Sequence, residues 1–270
     1  MHNGKHELVS RFPISFKDHI ASVVVVKTVR RASISIPTQV GCPVKCSFCI
    51  STQQPYRRHL HPREMMMAIH HGYENVQPGV PVTVAFSGEG DACLNARAVA
   101  EVAQGISNGS MTVDKLRFST SGANSRAIEV LANIPARKTL QLSLHSAVQS
   151  TRRRLIPVSD GLDGIASVFR RRSGAFDGIR LNYVLMRGIN DTPEEIEALK
   201  RWGNDDWLIT LSPLMGNRAL QLSAEEVSVI ADRLVASGRR VRVFKDVGRK
   251  LDETNYPLLT YQERQPMQRM

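Results

Sequence analysis

Three of the chain's four cysteines fall within one short stretch, GCPVKCSFC, at Cys42, Cys46 and Cys49. The spacing C-x3-C-x2-C lets three thiolates turn inward from one loop onto a single metal centre. Iron–sulfur clusters are ordinarily held by four cysteines, so three protein ligands leave one iron open to another group. Zinc is the alternative, and it needs a fourth ligand, for which Cys93 and His59 are the available donors. Four cysteines in 270 residues, three of them clustered, are no disulfide framework; a reducing compartment keeps them as thiols able to bind metal.

Other residues limit the class of protein. The longest apolar runs, such as ASVVVV at 21–26, fall far short of the roughly 20 residues of a membrane span, and MHNGKHELVSRF at the start lacks a signal-peptide core. The expectation is a cytoplasmic protein with no membrane partner, acting as a monomer. A net charge of +11 favours an anionic partner: nucleic acid, a nucleotide or a phosphorylated metabolite.

The elements that must position the cysteines alternate between short β-branched runs and helical patterns, as in parallel βαβ units. Strands are predicted at 33–38, 81–87, 115–120, 139–145, 179–186, 207–212 and 240–245, with one more near 21–28 outside the repeat. Helices are predicted at 62–76, 95–107, 124–134, 161–172, 193–203 and 223–237. Thr192-Pro193-Glu194-Glu195 and Ser223…Glu226 carry capping signals at two helix starts. The fold class is α/β, a partial (β/α)6 TIM-type barrel, with a doubly wound open sheet as runner-up. The expected division is an N-terminal extension with one strand at 1–32, the barrel core at 33–246, and a tail over the active face at 247–270. In either architecture function gathers at the carboxyl ends of the strands.

C-x3-C-x2-C with an aromatic, Phe48, before the last cysteine resembles the signature of radical S-adenosylmethionine (SAM) enzymes. The resemblance implies a 4Fe–4S cluster on Cys42, Cys46 and Cys49, whose open iron is chelated by the amine and carboxylate of SAM. It also implies reductive cleavage of SAM to a 5′-deoxyadenosyl radical, with electrons from a flavodoxin- or ferredoxin-like donor. QVGC at 39–42, TQQPYRRHL at 52–60, GEGDACLN at 88–95, STSG at 119–122, SLH at 143–145 and NYVLMRGINDTPEE at 182–195 narrow it further. They are similar to motifs of the ribosomal RNA adenine methyltransferases acting on carbon-2 or carbon-8, the RlmN/Cfr family, and the match runs from about residue 22 to about 255. Carried over, it implies that Gly90 and Asp91 meet the methionine part of SAM. Ser119, Ser121, Ser143, Leu144 and His145 would hold its carboxylate, ribose or adenine, and Ser212 takes the place of a family asparagine. Small hydroxyl residues at strand ends suit a polar ligand, and equally suit local backbone groups.

The likeness breaks where that family relays its methyl group. A cysteine seven residues before the cluster is replaced by Ser35, and VGRKLDETNYP places Asn255 where the methyl-carrying cysteine stands in R-G-x-D-I-D-A-A-C-G-Q. Neither an amide nor a serine hydroxyl can do a thiol's work there. Cys93, the one spare thiol, stands in a leucine's place within the cofactor loop; it and Asn255 are the candidates beside the substrate. The residues ahead of the match are too few for the accessory RNA-binding domain of those methyltransferases. The expectation is a radical SAM enzyme whose deoxyadenosyl radical takes hydrogen directly from an anionic substrate, a nucleotide-like small molecule or RNA. An RNA methyltransferase with an altered relay, and a non-catalytic paralogue binding metal and nucleic acid, are the alternatives. Arg57, Arg58, Arg152, Arg153, Arg187 and Arg249 lie on the predicted active face as candidate anion contacts.

Overall fold

A computed structural model of the chain describes residues 8–107, 111–214 and 217–244. The chain begins with an antiparallel hairpin, β1 (Leu8–Phe16) and β2 (His19–Thr28), where the sequence signalled a single strand. Pro13 interrupts the apolar alternation of β1. It is tolerated because β1 is the outermost strand of the sheet, where a missing N–H leaves no ladder bond unmade.

Strand β3 (Arg31–Ile36) pairs antiparallel with β2 and then opens the parallel series. Two two-residue strands, β4 (Gln39–Val40) and β5 (Arg58–His59), pair with each other and pinch the cysteine loop at its base. The series continues through α1 (Pro62–Tyr73), β6 (Val82–Phe86), α2 (Ala96–Ser107), β7 (Lys115–Thr120) and α3 (Ile128–Ala132). It ends with β8 (Lys138–Ser143), α4 (Gln149–Leu155), α5 (Leu162–Arg172), β9 (Gly178–Leu185), α6 (Pro193–Arg201), β10 (Leu208–Pro213), α7 (Ala224–Ala236) and β11 (Val241–Val243). One nine-stranded sheet runs β1-β2-β3-β6-β7-β8-β9-β10-β11, with every step from β3 onward parallel. Six strand–helix units and a closing strand make the partial barrel the sequence pattern implied.

Helix starts follow the local chemistry. The Thr192 hydroxyl accepts from the Glu195 amide ahead of α6, and Ser223 and Glu226 close a reciprocal capping box on α7. Helix 124–134 is shorter than its pattern: a 3-10 turn at Ser125–Ala127 precedes a five-residue α3.

Alternation along the strands sorts side chains into two faces. Leu116 and Phe118, Leu140 and Leu142, Ile179 and Leu181, and Ile209 and Leu211 pack outward against helix residues such as Val99, Ile165 and Ile230 in the main core. The residues between them, including Arg117, Thr139, Arg180 and Thr210, face the lumen. A second, small core of Val44, Leu155, Ile156, Met186 and Leu214 sits at the strand ends, and Cys42, Cys46 and Phe48 pack on it.

Candidate cofactor site at the strand ends

Beyond β3 the chain turns into the cysteine loop through Gly41, whose φ of +73° belongs to the left-handed region. A Cβ there would stand 2.3 Å from the Pro55 carbonyl oxygen, so only glycine lets the two ends of the loop close. The loop is anchored at its far side as well, the Ser47 amide donating to the Leu155 carbonyl at 2.9 Å. Lys45, between the first two cysteines, has φ +55°; it and His145, at +53°, are the non-glycine left-handed residues among those described. Both lie in the candidate site, as strained positions held by their surroundings do.

Cys42, Cys46 and Cys49 are half-buried free thiols within electrostatic reach of one another. Burial pushes Cys42 up to about 12, opposed by the Val44 and Gly90 amides that hydrogen-bond its sulfur. Cys46 is raised by burial and then by the charges of Cys49 and Cys42, with Arg152 working the other way. Burial also raises Cys49, against hydrogen bonds from the Ser51 amide and hydroxyl. Three thiols that resist ionisation alone but stand within electrostatic reach of each other suit a cationic cluster, which releases their protons on binding.

Behind them lies a network the sequence did not signal. Glu89 accepts from the Gly41 amide at 2.7 Å and meets His19 of the hairpin at 2.9 Å. Gln39, fully buried, accepts from the Asp91 amide at 2.8 Å and contacts His59 Nδ1 through Nε2 at 3.0 Å. Asn95 donates to the Thr38 and Leu60 carbonyls, both at 2.9 Å. Three polar side chains flanking the glycine-rich loop thus tie cluster loop, hairpin and α2 together. Their residue types gave no signal, because the partners are far apart in sequence.

Asp91 is 3% exposed, and its carboxylate accepts from the Cys93 amide at 2.9 Å, the Ser121 amide at 2.6 Å and the Ser121 hydroxyl at 2.7 Å. A carboxylate offers about four acceptor positions, so one remains open. Gly90 has φ +104°, and a Cβ would meet Gln39 Oε1 and Thr38 Oγ1 at 2.5 Å each. Thr38 Oγ1 and Ser119 Oγ are buried with no hydrogen-bond partner.

His145 follows β8, its Nδ1 accepting from the Val184 amide at 3.0 Å and its ring set edge-to-face on Phe48 at 4.8 Å. Burial, then the charge of Arg152, lower its pKa to about 3, so the ring is neutral with its proton on Nε2. Asn190 secures the turn by donating to the His145 carbonyl at 2.6 Å. Ser143 ends β8 and Leu144 is fully buried beside it. Ser212, on β10, lies in register with Val184.

The candidate anion contacts separate into distinct fates. Arg152 is fully buried and donates to the carbonyls of Ser143 at 3.2 Å, Leu144 at 2.6 Å and Ser121, so it ties three strand-end segments together and is not presented to substrate. Arg58 is claimed by Asp18 and Glu64, both at 2.7 Å, and Arg187 by Glu226 at 2.6 Å. Arg57 donates to the Asp18 carbonyl at 2.8 Å, while Arg153 is exposed on α4. Cys93 is 1% exposed with its thiol toward Thr120, and His59 is held by Gln39, so neither of the candidate fourth zinc ligands turns toward the three cysteines. Arg249 and Asn255 lie outside the described residues.

No family model matches the chain. By sequence it is similar to the probable dual-specificity RNA methyltransferase RlmN of Salinibacter ruber, 27% identical over 83% of this chain and 64% of that one. The protein of the same name from Trichormus variabilis is 31% identical over 67% of this chain and 52% of that one. A radical SAM methyltransferase from Sphaerobacter thermophilus superposes with a TM-score of 0.71 at 21% identity, over 87% of this chain and 76% of the other. The chain is RlmN-like in sequence and shares the fold of that radical SAM methyltransferase.

The chain spans about half to two thirds of the length of those two curated relatives. The resemblance implies a 4Fe–4S cluster and SAM; Cys42, Cys46 and Cys49 are the donors of the right type for the cluster, although among the described residues no three metal-ligating side chains already stand together as a metal site. Among the described residues no fourth cysteine or histidine turns toward the three thiols, and an apolar shell backs them. The orphaned hydroxyls of Thr38 and Ser119 and the open position on Asp91 are what a polar cofactor at the strand ends would satisfy. No helix among the described residues is long and apolar enough to cross a membrane.

Proposed function

We propose that the chain is an enzyme that turns the deoxyadenosyl radical directly on its substrate, without a methylcysteine relay. The bound cluster would supply the electron that splits SAM into methionine and a 5′-deoxyadenosyl radical, which takes a hydrogen atom from a substrate carbon. That electron comes from a flavodoxin- or ferredoxin-like donor. Cys42, Cys46 and Cys49 hold the cluster; the amides of Gly90, Val44 and Ser51 hydrogen-bond the sulfurs and keep their charge tolerable. Asp91 offers its open acceptor position to the methionine amine, fixed by Ser121. Ser119, Ser143, His145 and Ser212 line the strand ends where the rest of SAM lies, with the His145 imidazole neutral and donating through Nε2.

The observation that carries the reading is the thiol inventory. After the cluster takes three cysteines, only Cys93 remains, and it is sealed beneath the cofactor loop. Ser35, in the relay position by resemblance, lies on the lumen face of β3 in register with Ala85 of β6. Anaerobic reconstitution tests this: about four irons per chain and 5′-deoxyadenosine formed under low-potential reduction are expected. A chain that binds zinc without iron, or a cluster that never cleaves SAM, overturns it.

The second reading, an RNA adenine methyltransferase with an altered relay, is favoured by the names of the sequence relatives. A methyl-adenine lost from cellular RNA when the gene is deleted would establish that reading.

A further inference from the structure

On the lumen side of the sheet four arginines stand within electrostatic reach of one another, and among the described residues no acid pairs with them. Arg117 of β7 and Arg180 of β9 point into the lumen from half-buried positions, joined by the exposed Arg31 at the start of β3 and the exposed Arg242 on β11. The last two come from the first and last strands of the parallel series, so the sheet's curl brings its margins toward a common centre. Among the described residues none of the four guanidinia has an ion pair or hydrogen bond; Arg242 only lies 6.0 Å from the Phe244 ring. Arg117 Nε is buried and unpartnered, and so is the hydroxyl of Thr139, its register neighbour on β8. Arg180, Arg31 and Arg242 add their charges to burial in lowering Arg117 to about 10, and Arg180 is lowered by burial, Arg242 and Arg31.

Such a cluster is costly to fold unless something anionic fills it. We infer that the lumen binds the phosphoryl groups of a small di- or triphosphate-bearing substrate, gripped by Arg117 and Arg180 with Arg31 and Arg242 behind them. This rests on the proposed radical chemistry and names its substrate class. Register favours it: Arg180 lines up through Gln141 with Ser119, and Arg117 through Ala85 with Ser35, so a phosphate held here has its carbon skeleton beside the cofactor rim. Charge favours a terminal polyphosphate over an RNA backbone. One phosphodiester brings a single negative charge to four guanidinia, and a strand entering a half-closed lumen would have to leave it again.

The test is calorimetric titration of the anaerobic full chain, cluster loaded, with pyrophosphate and with adenosine diphosphate. Saturable binding is expected, weakened at least about tenfold by Arg117→Gln and by Arg180→Gln, and unchanged by Arg171→Gln, whose partner is Glu129 on the outer surface. Both lumen variants should keep their cluster absorbance and their SAM cleavage in the absence of substrate. No binding, or binding indifferent to Arg117 and Arg180, overturns the inference. So does an RNA oligonucleotide that binds through these arginines and is not displaced by pyrophosphate. Phosphate binding that survives in a chain unable to cleave SAM overturns the radical reading and leaves the lumen site standing.

Discussion

Arg152 and Arg117 are two arginines carried into the interior of one barrel, and they meet opposite environments. Arg152, at the rim, gives its guanidinium to three backbone carbonyls, and burial lowers it to about 10 against the attraction of the nearby Asp91 carboxylate. Arg117, in the lumen, has no hydrogen-bond partner and three like charges near it. The rim is largely tied together before any ligand arrives, Glu89, Gln39, Asn95, Asp91 and Arg152 each holding backbone or side-chain partners while the Thr38 and Ser119 hydroxyls and Arg152 Nε stay unpartnered. The lumen is left incomplete. A satisfied polar network positions; an unsatisfied one of a single sign waits for its counter-ion.

The contrast can be broken most forcefully at the rim. Arg152→Gln strips charged donors from three buried carbonyls and should cost about 3–5 kcal/mol in urea unfolding, with cluster content falling in parallel. His145 gives a pH signature of the same frame. Its folded pKa, about 3, lies below the unfolded value near 6.5, so its contribution is present above pH 6.5 and is lost as pH falls. Between pH 7.5 and 5.5 the chain should lose about 1.4 kcal/mol through this group. His145→Asn, which tolerates the left-handed backbone, should flatten that slope in unfolding curves across the range.

The lumen should respond with the opposite sign. Without anions, Arg117→Gln relieves repulsion and should raise stability by about 1 kcal/mol, read as a higher thermal midpoint; a loss comparable to that of Arg152→Gln would erase the distinction. Smallest is the exposed pair of Arg187 and Glu226, in which Arg187 and the Ser223 amide hold Glu226 near 2. Whatever it contributes is present above the usual carboxylate range and lost as pH falls toward 2. Glu226→Gln should therefore shift the midpoint slightly at pH 7 and not at all at pH 2.

The cysteine spacing, the βα alternation and the caps at Thr192 and Ser223 were legible in the sequence because each is local chemistry. Strand β1 was hidden by Pro13, and the roles of Glu89 and Gln39 needed partners about 50 residues away. Arg152 looked like a phosphate contact in an Arg-Arg-Arg run, since nothing in the run says which member turns inward. The lumen arginines left a fainter mark. Three of them, Arg117, Arg180 and Arg242, interrupt the short strands KLRFST, IRLNYV and VRV at the position that alternation sends away from the helices. Parallel strands packed on both faces read as nearly continuous apolar runs, so a charge there marks a lumen that is not filled by side chains.

The central claim, a radical used without a methyl relay, is tested most directly by the fate of SAM. Charging a protein cysteine with a methyl group leaves S-adenosylhomocysteine, whereas direct radical use leaves only methionine and 5′-deoxyadenosine. Chromatography of turnovers run with deuteromethyl-labelled SAM should show 5′-deoxyadenosine and no S-adenosylhomocysteine, with no label on protein or substrate. S-adenosylhomocysteine formed in step with 5′-deoxyadenosine, and a labelled methyl group on adenine, would contradict it.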